Sequence, residues 1–242
     1  MLLMITKINF YGDKMSHFAK TFFTYTDGFY NAETDELSPA FYEKLPTLSE
    51  ERRARVERAR NNITKAELLC AELLRNYALS AVFGIENVNI RLNEYEKPYL
   101  ADHPDKFFNI SHSGRAIVCT VSDVECGVDV ENASRPHDLM GIAGRFFSTM
   151  EQNAILMSQN PTEAFCRLWT IRESYVKMRG TGFSMGLKAL RCDFHRGKAS
   201  MIENNVPQTD AFFDEFKHIY GYRACVCTKE PVEHEVKKVE LA

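Results

Sequence analysis

The sequence predicts a mixed α/β (α+β) protein built as two similar lobes, residues 1–125 and 126–242. Two observations carry this. Each half contains a short polar helix followed by a long one with apolar residues at helical spacing, and runs rich in β-branched residues lie between and around these pairs. Residue identity between the halves is negligible, so what repeats is a layout. No low-complexity linker divides the chain, and the lobes are therefore expected to share an interface.

Met1 to Phe10 is a short apolar stretch broken by Lys7, with no small-residue cleavage site behind it, and reads as a first strand rather than a signal peptide. Ser49 opens a charged segment from Glu50 to Arg60, with Thr47 and Glu50 spaced as a capping box. The spacing of Leu68, Leu69, Leu73, Leu74 and Tyr77 predicts a helix over Thr64–Phe83 that stops at Gly84. In the second half Ser148 and Glu151 form another capping box, Asn160-Pro161 breaks the chain, and a longer helix runs over Thr162–Met178 to Gly180-Thr181-Gly182. Strands are predicted at Phe107–Ile110, Ala116–Ser122, Val128–Val130, Arg191–His195 and Tyr222–Thr228, and the charged tail from Pro231 reads as a last edge element.

Hydrophobic residues make up 45% and charged residues 26%, the balance of an ordinary globular protein. A net charge of -3 gives no global basic field, which argues against nucleic acid as partner and leaves any phosphate recognition to local residues. No apolar run approaches the roughly 20 residues that span a bilayer. The seven cysteines are odd in number, scattered and without a Cys-x-x-Cys pair, which fits reduced thiols in a cytoplasm better than a disulfide or zinc framework.

Three segments could carry chemistry. In Gly127-Val128-Asp129-Val130-Glu131 a strand would put both carboxylates on one face, where they repel unless protons or a cation neutralise them; a solvated acidic face is the competing reading. Trp169, Glu173 and Lys177 share one stripe of a helix, although Glu followed by Lys four residues on is also a common exposed ion pair. Phe107 to Arg115 runs an apolar strand into Ser111-His112-Ser113-Gly114, which would gather hydroxyls, an imidazole and turn amides at one loop. Neighbouring Ser and His on a strand point apart and no Gly-x-Ser-x-Gly elbow is present, so a serine hydrolase is disfavoured.

These pieces occur in one order: Lys97-Pro98-Tyr99-Leu100, Phe108 to Gly114, Gly127 to Glu131, Arg145-Phe146-Phe147-Ser148 with Glu151, and Trp169 to Lys177 closed by Gly180-Thr181-Gly182-Phe183-Ser184. In that order the chain resembles the 4′-phosphopantetheinyl transferases, specifically the surfactin-synthetase-activating (Sfp-type) group. The resemblance implies two pseudo-twofold-related lobes with coenzyme A, the substrate, bound in the cleft between them. It implies that Asp129, Glu131 and Glu173 hold Mg2+ with the pyrophosphate, and that Glu173 takes the proton of a serine on an acyl, peptidyl or polyketide carrier protein. Lys177 would stabilise or protonate the leaving group, adenosine 3′,5′-bisphosphate. Ser111, His112, Arg52 and Arg55 match positions near the 3′-phosphate, and Lys97-Pro98 a turn beside the adenine. Glu96 stands where the family has glycine, Arg172 where it has lysine (read as a phosphate contact), and Ala66-Glu67 where it usually has arginine, leaving Lys65 as the nearest cation. A monomer without membrane or nucleic-acid partners is expected.

Two rival readings remain. Asp-x-Glu followed by Glu-x-x-x-Lys also suits a metal-dependent nuclease, which would need basic stripes or stacking aromatics for its substrate. The chain could also be a non-catalytic homologue that only binds carrier protein.

Overall fold

The computed structural model describes residues 16–134, 138–182 and 186–242. The strand expected at Met1–Phe10 lies outside these residues, as do Phe183 and Ser184 of the last motif.

The first half comprises β1 (His17–Tyr25), the short β2 (Tyr30–Asn31) and β3 (Glu36–Leu37), α1 (Pro39–Lys44), α2 (Glu50–Glu57), α3 (Asn62–Phe83), β4 (Ile90–Leu92), β5 (Pro98–Leu100), β6 (Phe107–Ser113) and β7 (Ala116–Ser122). The second comprises β8 (Cys126–Asn132), α4 (Leu139–Phe146), α5 (Thr149–Leu156), α6 (Pro161–Arg179), β9 (Leu190–His195), β10 (Lys198–Glu203), β11 (Val206–Pro207), β12 (Phe212–Phe216), β13 (Tyr222–Thr228) and β14 (Val232–Lys238). The other predicted strands are present, most of them longer than expected. The tail does form an edge strand, but it pairs with the first half: the sheet order is β14-β1-β7-β6, and β14 runs parallel to β1. The second sheet has the order β12-β13-β8.

Each long helix lies over one sheet. α3 is capped by Asn61, whose side chain accepts from the Thr64 N–H, and ends at Gly84 in the left-handed region that a Cβ-free residue enters without penalty. Its buried Leu69, Leu74 and Leu79 pack with Phe22, Phe29 and Ile117. α6 is capped by Asn160 with Pro161 in its first turn, where proline loses no hydrogen bond, and closes at Gly180. It is buried all round its middle turns, from Thr170 to Val176, because β8 and β13 cover one side and α5 and β9 the others. A third core, made of Phe23, Ala116 and Val118 with Val128, Val130, Tyr222 and Val226, joins the two sheets.

The capping box at Ser148–Glu151 forms in full. The one expected at Thr47–Glu50 does not: Ser49 is the N-cap of α2, accepting from the Arg52 N–H, and the Thr47 hydroxyl instead donates to the Lys44 carbonyl. Glu96 adopts φ 64°, so the turn before β5 keeps a left-handed residue although this chain lacks the glycine there. All seven cysteines are buried and none is joined in a disulfide, and burial pushes the thiols of Cys70, Cys126, Cys166 and Cys192 up to about 12, far from reactive thiolates.

β8 approaches α6 closely because residue 127 has no side chain. A Cβ there would overlap the Ser174 carbonyl oxygen and the Met178 nitrogen, both backbone atoms that cannot rotate away. Gly127→Ala is therefore expected to destabilise the protein by about 3 kcal/mol, the upper range for overpacking, as measured by urea unfolding. Unchanged stability would mean that β8 and α6 can separate freely.

Candidate active site

Three elements meet at the site, and side chains rather than a backbone ladder hold two of them together. β6 and β8 run alongside each other without pairing in one sheet. Asn109 Oδ1 accepts from the Val128 N–H at 2.9 Å, and Ser113 Oγ accepts from the Asn132 N–H at 3.2 Å. On the same strand face Ser111 donates to Asp129 Oδ1 and Ser113 donates to Glu131 Oε2, each at 2.8 Å. Alternation places residues 109, 111 and 113 on the side of β6 that faces β8, so each serine orients one carboxylate. The three residues Ser111 to Ser113 belong to the strand, and the turn begins only at Gly114.

α6 supplies the remaining groups. Ile110, Ser111, His112, Asp129, Glu131, Trp169, Glu173 and Lys177 line one open cleft of about 360 Å³. Trp169 stacks on Phe165 at 5.8 Å and forms one wall. The Glu173–Lys177 ion pair suggested by their spacing is replaced by a different one: Lys177 Nζ reaches across to Asp129 Oδ1 at 2.6 Å, and also donates to Ser111 Oγ at 2.9 Å and the Val128 carbonyl at 3.3 Å. Asp129 is 4% and Glu173 8% exposed. Burial, reinforced by Asp129 and Glu131 and opposed by Lys177, lifts the Glu173 carboxyl to about 7. Two buried oxygens, Asp129 Oδ2 and Glu173 Oε1, have no hydrogen-bond partner.

Among the described residues no three Asp, Glu, His or Cys side chains already close into a metal cage. The local reason is visible: Asp129 is drawn to Lys177 and Ser111, and Glu131 to Ser113. Even so, the donors are hard oxygens, and the two unpartnered ones lie buried in the walls of this one cleft. That chemistry suits a small divalent cation which keeps part of its coordination for water or phosphate.

The other expected site residues lie elsewhere. Arg172 is 0% exposed and does not reach the cleft: its Nη2 donates to both Glu151 oxygens, at 2.9 and 2.8 Å, and to the Leu190 carbonyl, while the guanidinium covers the Phe147 ring. Its expected phosphate contact is thus corrected to a core ion pair. Lys97 Nζ donates to the carbonyls of Cys126 and Met178, fastening the C-terminal turn of α6 to β8, and burial lowers its pKa. Pro98 starts β5 beside it. Arg52 is held by Glu72 at 3.3 Å in a separate cleft of about 450 Å³, Arg55 is exposed on α2, and Lys65 sits in the first turn of α3; none lines the acidic cleft. Ser113 and Asn109 join the site through their bonds to β8. Their signal in the sequence was alternation with Ser111, which acquires meaning only once β6 is known to flank β8. Another cavity, of about 800 Å³, lies beside β12 and β13, and its Arg167 and Glu215 already satisfy each other.

Fold and cleft together define a mixed α/β protein with a buried acid of near-neutral pKa in one cleft with two oriented carboxylates and a lysine. The sequence model of the 4′-phosphopantetheinyl transferase superfamily matches residues 125–227, which span β8, α6 and β13. The 4′-phosphopantetheinyl transferase Sfp of Bacillus subtilis (strain 168) is 30% identical over 188 residues, covering 76% of this chain and 83% of that protein. The 4′-phosphopantetheinyl transferase ffp of Bacillus subtilis is 30% identical over 203 residues, 82% of this chain and 87% of its own. The 4′-phosphopantetheinyl transferase gsp of Aneurinibacillus migulanus is 31% identical over 167 residues, 66% and 67%. The chain belongs to the 4′-phosphopantetheinyl transferase superfamily.

Proposed function

We propose that the protein transfers the 4′-phosphopantetheine arm of coenzyme A to a serine hydroxyl of an acyl, peptidyl or polyketide carrier protein, with adenosine 3′,5′-bisphosphate as the leaving group. The observation that carries this reading is Glu173, a buried acid with a pKa of about 7 that faces the cleft of a chain in this superfamily. A carboxylate poised near neutrality is a competent acceptor for the serine proton, directly or through one water.

Asp129, Glu131 and Glu173 are the residues that would hold Mg2+, with Asp129 Oδ2 and Glu173 Oε1 as the oxygens left open for it. Bound there with the pyrophosphate, the cation would polarise the attacked phosphate and offset charge on the leaving one. Ser111 and Ser113 fix the two β8 carboxylates; exposed His112 on the rim offers its imidazole to a phosphate group. Trp169 supplies an apolar wall that keeps bulk water from one side of the reacting atoms. No helix among the described residues is long and apolar enough to cross a membrane, and the buried thiols suit a reducing cytoplasm. We place the enzyme there as a monomer, since one chain supplies every wall of the cleft.

The test is to incubate the protein with coenzyme A, Mg2+ and an apo carrier protein and to weigh the carrier. A gain of one phosphopantetheine is expected. No gain with carriers drawn from fatty-acid, polyketide and nonribosomal peptide systems would overturn the assignment.

A further inference from the structure

An ammonium has three N–H donors, and in Lys177 all three are used by the walls of the cleft: Asp129 Oδ1 at 2.6 Å, Ser111 Oγ at 2.9 Å and the Val128 carbonyl at 3.3 Å. Ser111 in turn donates to the same Asp129 oxygen. One carboxylate oxygen of Asp129 is therefore saturated, while the other, Oδ2, is buried without a partner, as is Glu173 Oε1. The asymmetry is too specific for a solvated acidic face, where water would satisfy every oxygen.

We propose that Lys177 is the resting counter-ion of the acidic cleft: it occupies Asp129 Oδ1, leaves Oδ2 to a divalent cation, and by its own charge keeps that cation weakly held until a phosphate-bearing substrate arrives. The inference rests on the functional reading above and adds to it a role for Lys177 that precedes chemistry. Three ionised carboxylates and one ammonium carry a net charge of −2, which one divalent cation balances. Without the ammonium the same site carries −3 and attracts a cation more strongly, because like charges a few ångströms apart in a half-buried cleft interact far more than in open water. Phosphate groups entering the cleft add negative charge, which both the cation and the ammonium then share. Cation and phosphate substrate consequently strengthen each other's binding, and linkage makes that coupling reciprocal. The saturated lysine also keeps Asp129 fixed before substrate binds, so the carboxylate needs no reorientation when the cation enters.

Calorimetric titration with Mn2+, alone and with coenzyme A present, tests this on the wild type and on Lys177→Met, Lys177→Gln and Lys177→Arg. The Met and Gln variants are expected to bind Mn2+ about tenfold more tightly than wild type in the absence of coenzyme A, with Arg close to wild type. Coenzyme A should tighten Mn2+ binding to wild type and do so much less in the Met and Gln variants. Equal or weaker Mn2+ binding by folded Met and Gln variants would overturn the inference. Wild type supplies an arm that needs no variant: Mn2+ binding without any tightening by coenzyme A overturns this inference alone. Wild type that binds no Mn2+ in either condition overturns the metal reading on which it rests.

Discussion

Glu173→Gln is expected to cut phosphopantetheine transfer by about a hundredfold or more, the scale of a lost general base, while making the metal-free protein more stable at pH 8. The two effects have one cause. The folded protein raises the Glu173 carboxyl from 4.5 to about 7, through burial and the neighbouring Asp129 and Glu131. A carboxyl whose pKa is raised on folding binds its proton more tightly in the native state. Its contribution is therefore fully present below pH 4.5 and is lost as the pH rises through about 7. The shift corresponds to about 3 kcal/mol between those limits. Gln is isosteric, stays neutral and escapes that loss. In chelator, the variant should melt close to wild type at pH 5 and roughly 5–10 °C above it at pH 8, for a protein of this size. Added Mg2+ with coenzyme A should narrow the difference, because ligands that bind only the wild-type site stabilise only the wild type. The same melting difference at both pH values would mean that Glu173 ionises freely, and retained transfer would remove it as the base.

The second large effect is expected at a residue that never touches the cleft. Arg172→Ala should destabilise the protein by about 3–5 kcal/mol, because it leaves the Glu151 carboxylate buried without its countercharge. Glu151 holds a strategic position: it caps α5 through Ser148, accepts from the Cys192 N–H at 3.0 Å, and meets Arg172 from α6. Burial pushes the Glu151 carboxyl up, but Arg172 and the Ser148 bonds outweigh it, so the pKa lies below its ordinary value. Without the guanidinium only the burial penalty and the weaker bonds remain. Replacing both partners with apolar residues, Arg172→Met with Glu151→Leu, should recover a substantial part of the loss, since removing a buried pair together leaves no orphan charge. Urea unfolding of the single and double variants measures this directly. A single variant within 1 kcal/mol of wild type would show that water reaches Glu151.

Comparison of sequence and structure separates what pattern can and cannot convey. Asp129 and Glu131 were legible because alternation in a strand leaves no other choice of face. The helices α3 and α6 were legible from their caps, Asn160-Pro161 and the closing glycines. Lys177 shares the cleft with Asp129, Glu131 and Glu173, but the ion pair it makes is not the one spacing suggests: spacing of four marks the neighbour on its own helix, whereas the long lysine stem crosses to β8. Arg172 misled because composition treats a cation as surface or ligand, and only the packing shows that Glu151 pairs with this one inside the protein. The helix α4 was not anticipated, since Gly141 and Gly144 make its segment a poor helix former, and its formation depends on the Asp138 cap and the packing of Ala143 and Phe147. The seam of Asn109, Ser111 and Ser113 is a relation between distant strands, which no local pattern records.

The parallel pairing of β1 with β14, from His17 opposite Val232 to Phe23 opposite Lys238, also bears on how the chain is made. β1 acquires this outer neighbour only after every element between the two strands has been made. Until then β1 exposes a row of unpaired backbone groups flanked by Phe18 and Phe22, an invitation to other chains. Contacts of such long sequence separation also slow folding. A product ending before residue 232 would keep every residue of the cleft and still carry that open edge. Val239, just past that strand, is buried in the first core and donates its N–H to the Phe23 carbonyl, so truncation from the carboxyl side costs core as well as edge, and a halved version split near residue 125 needs its carboxyl fragment to finish the sheet of the other half.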